Sequence, residues 1–221
     1  MKRTRIGLLV IAAVLALSAS AGPARAGGEA AIALDARQVR VSECSLGNLA
    51  ADAARKALQA EVALVQANQF RETTIAPGAV TCDSLKAALL YPDERLVLVE
   101  LSGERLLAAL ERGLSALDRP STGFLQVSGM AVTFRSQQPP GGRIESVTIG
   151  RSPLAPEKTY RAAMPASLAK GALGYFRIFN GLEAKQIGPA IGEAVCSYLG
   201  SAPEMPPRVG QRLRDLTPPA E

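Results

Sequence analysis

Cys44, Cys82 and Cys196 are the three thiols of a 221-residue chain that contains no histidine. Together these facts remove several chemistries. Without imidazole there is no Ser-His-Asp or Cys-His nucleophile. Zinc is improbable as well, because the cysteines lie far apart and no histidine assists them. An odd cysteine count in an oxidising compartment predicts one disulfide and one buried thiol. Cys44 and Cys82 both sit at expected helix starts, and that pair is the predicted bridge. Cys196 lies inside an amphipathic segment and reads as a small core residue.

The oxidising compartment follows from the first residues. Lys2, Arg3 and Arg5 precede an apolar run, Ile6 to Leu17, that is too short to span a bilayer comfortably. Ala24-Arg25-Ala26 then offers small residues at both recognition positions of a cleavage site. Residues 1–26 are therefore expected to be a signal peptide, which makes the protein periplasmic or secreted. No later segment predicts a membrane helix. Four cations leave with the leader, so 25 basic residues become 21 against 20 acidic ones and the net charge falls from +5 to +1. The alkaline pI therefore reflects the leader, and no nucleic-acid partner is expected.

Residues 27–200 read as one α/β (α+β) domain with mixed sheets and flanking helices, followed by a Pro-rich tail over 201–221 in which Leu213-Arg214-Asp215-Leu216 packs back. Ile32 to Leu34 and Gln38 to Ser42 look extended. Ser45 is placed to cap a helix whose Leu46, Leu49, Ala53 and Leu58 share one stripe. Val62 to Val65 is a short buried strand with a polar loop, Gln66 to Thr74, behind it. Thr81 or Asp83 starts a brief helix that Tyr91-Pro92-Asp93 breaks. Leu96 to Leu101 is a strand, and Ser102 caps the helix that follows it. Period-two runs predict strands at Leu125 to Val127, Ala131 to Phe134, Ile144 to Ile149 and Tyr160 to Met164. Ile187 to Leu199 reads as a final helix, while Tyr175 and Phe176 read as core.

Five segments follow one another along the chain. They are Glu43-Cys44-Ser45-Leu46-Gly47-Asn48-Leu49 running into Ala51-Asp52-Ala53, then Leu64 to Arg71, Val97 to Gly103, Gly123 to Gly129, and Lys158 to Arg161. Over roughly residues 38–200 this series resembles the C-terminal domain of the 5'-nucleotidase family. The resemblance implies a division of labour. An N-terminal metallophosphoesterase domain holds two metal ions and activates water, and the C-terminal domain holds the nucleotide. A two-metal clamp needs His, Asp and Asn ligands. This sequence has no histidine to contribute, so hydrolysis implies a separate metallophosphoesterase chain as partner, and no cofactor is expected here.

The resemblance also implies the binding residues. The family's loop reads approximately Asn-Gly-Gly-Gly-Ile-Arg. Gln66, Ala67, Asn68 and Gln69 stand at the Asn and Gly positions, and Arg71 keeps the Arg. Arg40 falls where some members place a second ligand-binding Arg, although Arg37 could take its place. Two such forks can hold a phosphate or carboxylate by paired hydrogen bonds. Against this, Arg71 could pair with Glu72, and Gln66 and Asn68 could merely fill space left by lost glycines. The family stacks the nucleobase between two aromatics. Pro92 replaces one of them, with Tyr91 displaced by a residue and able either to cover a ligand or to pack as a helix-ending aromatic. Ser167 stands at the second aromatic position, and Leu173 replaces an Asp. Stacking is worth on the order of 1–3 kcal/mol per base, so base selection should be lost. Two functions follow: an accessory substrate-binding module in nucleotide or phosphate-ester breakdown, or a non-catalytic exported scaffold without a nucleotide ligand.

Overall fold

The computed structural model describes residues 27–30, 33–201 and 208–218. The expected leader, residues 1–26, and part of the expected tail lie outside them. In chain order the elements are β1 (Gly27–Ala30), β2 (Leu34–Asp35), α1 (Ser45–Ala57), β3 (Val62–Gln66), β4 (Thr74–Ile75), β5 (Gly78–Thr81) and α2 (Cys82–Ala87). There follow β6 (Arg95–Ser102), α3 (Gly103–Gly113), β7 (Leu125–Ser128), β8 (Met130–Phe134), β9 (Ile144–Ile149) and β10 (Ser152–Pro153). The last are β11 (Thr159–Pro165), α4 (Ala166–Ala169), α5 (Phe176–Phe179), β12 (Gln186–Ala190), α6 (Ile191–Leu199) and β13 (Leu213–Asp215).

A mixed five-stranded sheet, ordered β12-β6-β11-β3-β7, carries the core, and a four-stranded sheet, β10-β9-β8-β13, stands beside it. β3 runs parallel to β11 and antiparallel to β7. All five β3 residues are buried, as are Leu96 to Val99 of β6, which is why these stretches read as unbroken apolar runs. The two sheets meet at Gly129, between β7 and β8, whose φ of +79° suits glycine. A side chain there would collide with the Glu61 carbonyl.

Helix α1 is buried all round from Ser45 to Ala54, not along one stripe only. It packs against β3 and β7 on one side and α6 on another, and its alanines permit those close approaches. The N-cap is Cys44 rather than Ser45. The Cys44 sulfur accepts the Gly47 N–H at 3.3 Å, while Ser45 Oγ accepts from the Asp35 N–H at 2.8 Å. Helices α2 and α3 start where their caps predict, at Thr81 and Ser102.

Four further expectations need correction. The disulfide joins Cys82 to Cys196, and Cys44 is the free buried thiol. Its physical reason is the packing of α2 on α6, a tertiary contact, which brings these two Cα atoms to 4.9 Å. Residues 38–42 are turns, in which Val41 and Ser42 both donate N–H to the Gln38 carbonyl. The segment read as one final helix begins as strand β12, paired with β6, and becomes helical at Ile191. Finally, Phe176 is 63 % exposed, whereas Tyr175 is fully buried and donates its hydroxyl to the Gly123 carbonyl at 2.7 Å.

Candidate functional site

Strand β3 ends at Gln66, and the chain turns through a single 3-10 turn, Ala67–Gln69, before reaching Arg71. Backbone bonds fix this turn on both sides. Ala67 and Asn68 donate N–H to the Phe124 and Thr122 carbonyls at 2.8 and 3.0 Å. Leu90 donates to the Gln69 carbonyl, and Arg71 to that of Ala88. Phe70, fully buried, anchors the turn from beneath.

The same segments bring Arg40 to the site. Its carbonyl accepts the Ser121 N–H at 3.0 Å, one residue from the Thr122 that holds Asn68. Arg40 Nε lies 3.0 Å from Glu72 Oε1, so Glu72 pairs with Arg40 and not with its neighbour Arg71. Arg71 is exposed, and its side chain makes no ion pair or hydrogen bond among the described residues. Asn68 is half-buried, and Tyr91, at the turn after α2, is 51 % exposed. Arg40, Asn68 and Arg71 thus sit on adjoining segments, with the positive charge of Arg71 uncompensated.

Gln66 has gone inward. It is buried, and its Nε2 donates to Ser167 Oγ at 3.2 Å. Gln69, also fully buried, donates to Glu94 Oε2, and Glu94 Oε1 accepts the Ser167 N–H at 2.8 Å. Gln66, Gln69, Glu94 and Ser167 are therefore one connected polar network. It ties the turn after β3 to the Tyr91–Glu94 turn and to the start of α4. Among the described residues, Gln66 Oε1 and Gln69 Oε1 lack hydrogen-bond partners, so the network retains two buried acceptors. The role of Glu94 was not anticipated from sequence, although its place at the end of the Tyr91-Pro92-Asp93-Glu94 turn was the available signal.

Other residues of the five segments hold the fold. Gln126 Nε2 donates to the carbonyls of Val39 and Ser42, and its Oε1 accepts the Cys44 N–H at 3.1 Å. A side chain on Gly47 would strike Gln126, which explains glycine there. Leu173 has a left-handed backbone at φ +59°, uncommon for a residue other than Gly, Asn or Asp. The Arg112 guanidinium donates to its carbonyl at 2.7 Å.

A family model described as 5'-nucleotidase, C-terminal domain, matches residues 20–181. The chain belongs to the 5'-nucleotidase C-terminal domain family. Its fold superimposes on the 5'-nucleotidase precursor of Thermus thermophilus with a TM-score of 0.76 and 29 % identity, covering 87 % of this chain and 39 % of that one. An apyrase of Anopheles gambiae is 29 % identical over 182 residues, which are 78 % of this chain and 31 % of the apyrase. The trifunctional nucleotide phosphoesterase YfkN of Bacillus subtilis (strain 168) is 27 % identical over 203 residues, 86 % of this chain and 14 % of YfkN. This 5'-nucleotidase C-terminal domain thus spans less than a third of either of these two curated relatives. No helix among the described residues is long and apolar enough to cross a membrane.

Proposed function

We propose that this domain is an exported, anion-binding accessory module in nucleotide or phosphate-ester breakdown, working with a metallophosphoesterase on a separate chain. The observation that carries the reading is the exposed, unpaired Arg71 guanidinium on the turn after β3. A guanidinium fork offers two parallel hydrogen bonds to a phosphate. Arg40 lies on the adjoining segment and needs only to exchange Glu72 for the ligand. Asn68 flanks the anion, and Tyr91 is exposed enough to cover it. The sequence supplies no imidazole, so the catalytic metals belong to the partner in this reading.

The ligand is recognised by its phosphate and not by its base. Pro92 and Ser167 stand where the resemblance implies aromatics, and the Gln66–Ser167 bond fills that side of the site. That same network supports a second reading, a ligand-free exported scaffold. Thermal shift with AMP, UDP-glucose, adenosine and inorganic phosphate separates the two. Ligand at 100-fold its Kd stabilises by about 2.7 kcal/mol. The accessory module predicts protection by the phosphorylated compounds, none by adenosine, and loss of protection in Arg71→Ala. Absence of protection by every compound would contradict the accessory module and favour the ligand-free reading. Export predicts that the protein isolated from outside the cytoplasm begins at Gly27, which N-terminal sequencing reads directly.

A further inference from the structure

The opposite end of β3 carries a different feature. A cleft of about 930 Å³ opens between the last turn of α1, the β7–β8 corner and the segment from β10 to β11. The Gln66 end and this Glu61 end lie a strand apart, roughly 16 Å for five residues.

Five ionised side chains line the cleft: Arg55, Lys158 and Arg212 against Asp52 and Glu61. Two of the cations are already neutralised. Arg212 Nη2 lies 2.8 Å from Asp52 Oδ2, and its Nη1 donates to the Asn48 and Val127 carbonyls. Lys158 Nζ lies 3.1 Å from Glu61 Oε1 and 4.6 Å from the centroid of the Tyr160 ring. Among the described residues, Arg55 alone of the cleft's cations is paired with no carboxylate. Its Nε donates to Ser128 Oγ at 2.8 Å, and the Ser128 hydroxyl in turn donates to Asp52 Oδ1 at 2.5 Å. That chain of bonds fixes the plane of the guanidinium. Both Nη atoms are left without a hydrogen-bond partner among the described residues.

The surroundings favour a ligand with an organic body. Met130, Ile149 and Pro153 line the same cleft. Gly129 keeps the floor open beside Arg55, since a Cβ there would come within 3.0 Å of Arg55 Cδ. Among the described residues the lining carries one net positive charge, which a monoanion cancels and a phosphate dianion overshoots. A carboxylate also matches the guanidinium fork edge to edge.

We infer that this cleft binds a small organic monocarboxylate, its head on the Nη edge of Arg55 and its apolar body against Met130 and Ile149. The site is independent of the anion loop at Arg71. The probe is benzoate, titrated into the ¹⁵N-labelled protein at millimolar concentrations, with phenyl phosphate as comparison. The expected result is a saturable shift of the Arg55 Nε–H and Gly129 amide signals, with benzoate binding more tightly than phenyl phosphate. Arg55→Gln should weaken benzoate binding at least tenfold, about 1.4 kcal/mol, whereas Arg71→Ala leaves it unchanged. Arg55→Lys keeps the charge, loses the fork and should also bind less tightly. The titration of the unmutated protein decides even if a variant folds poorly. Non-saturating shifts, shifts confined to Arg71 and Arg40, or preference for phenyl phosphate would each overturn the inference.

Discussion

The Asp52 carboxylate meets the Arg212 guanidinium at 2.8 Å across 160 residues of chain, with both side chains largely withdrawn from solvent. Three further hydrogen bonds act in the same place. Glu43 Oε2 accepts the N–H groups of Arg212 and Leu213 at 3.0 and 2.9 Å, and Asn48 donates to the Arg208 carbonyl at 2.8 Å. The polar residues of the first family segment thus hold a C-terminal strap, whose strand β13 runs parallel to β8.

Removing one partner of such a pair strands the other charge. Arg212→Ala should cost about 3 kcal/mol, which is roughly 10 °C in melting temperature for a domain of this size. Urea denaturation measures it. A loss under about 1 kcal/mol would mean that the pair behaves like an exposed one.

The cysteine assignment has a simple chemical readout. Burial pushes the Cys44 thiol up to about 12, so it is neutral and shielded in the native protein. A thiol reagent should label nothing in the native state, one cysteine after denaturation, and all three once the denatured chain is also reduced. Cys82→Ser with Cys196→Ser should cost about 2–5 kcal/mol, since the bridge closes a loop with a sequence separation of 114. Recovery of a Cys44–Cys82 peptide by mass spectrometry would contradict the pairing.

Asp35 gives a pH dependence of known sign. The hydrogen bond from the Arg37 side chain holds its carboxyl at about 2, below the ordinary 3.8. Its contribution to stability is complete above 3.8 and disappears as the pH falls through 2. Asp35→Asn should therefore be slightly less stable than the parent at pH 7, with the gap closing between pH 4 and pH 2. Arg37 is exposed and Asp35 half-buried, so salt reaches the pair and the gap should shrink further in high salt. A gap that widens in acid would contradict this assignment.

What was legible in the sequence was mainly local. The Thr81 and Ser102 caps, the buried run of β3 and the period-two strands depend on neighbours in the chain. The motif reading placed Arg71 on the turn after β3, where its side chain is exposed. The disulfide was not legible, since Cys44 and Cys196 differ as partners for Cys82 only once α2 packs on α6. Nor was β12, whose Gly188-Pro189 looks like an irregular helix entry until β6 pairs with it. The Gln66–Ser167 and Gln69–Glu94 contacts join residues 101 and 25 apart, so no local pattern announces them.

The proposed division of labour predicts that the purified domain hydrolyses no phosphate ester above buffer, with or without added divalent metal. A rate that survives repurification and falls in Arg71→Ala would place catalysis on this chain.

Titration calorimetry of AMP and ribose 5-phosphate against the parent and Arg71→Ala tests the central claim most directly. The account predicts that the two ligands bind within about threefold of one another, because no stacking contact distinguishes them. It also predicts that Arg71→Ala weakens both at least tenfold, about 1.4 kcal/mol, without lowering the melting temperature. Unchanged binding in Arg71→Ala, or AMP bound tenfold more tightly than ribose 5-phosphate, would contradict it.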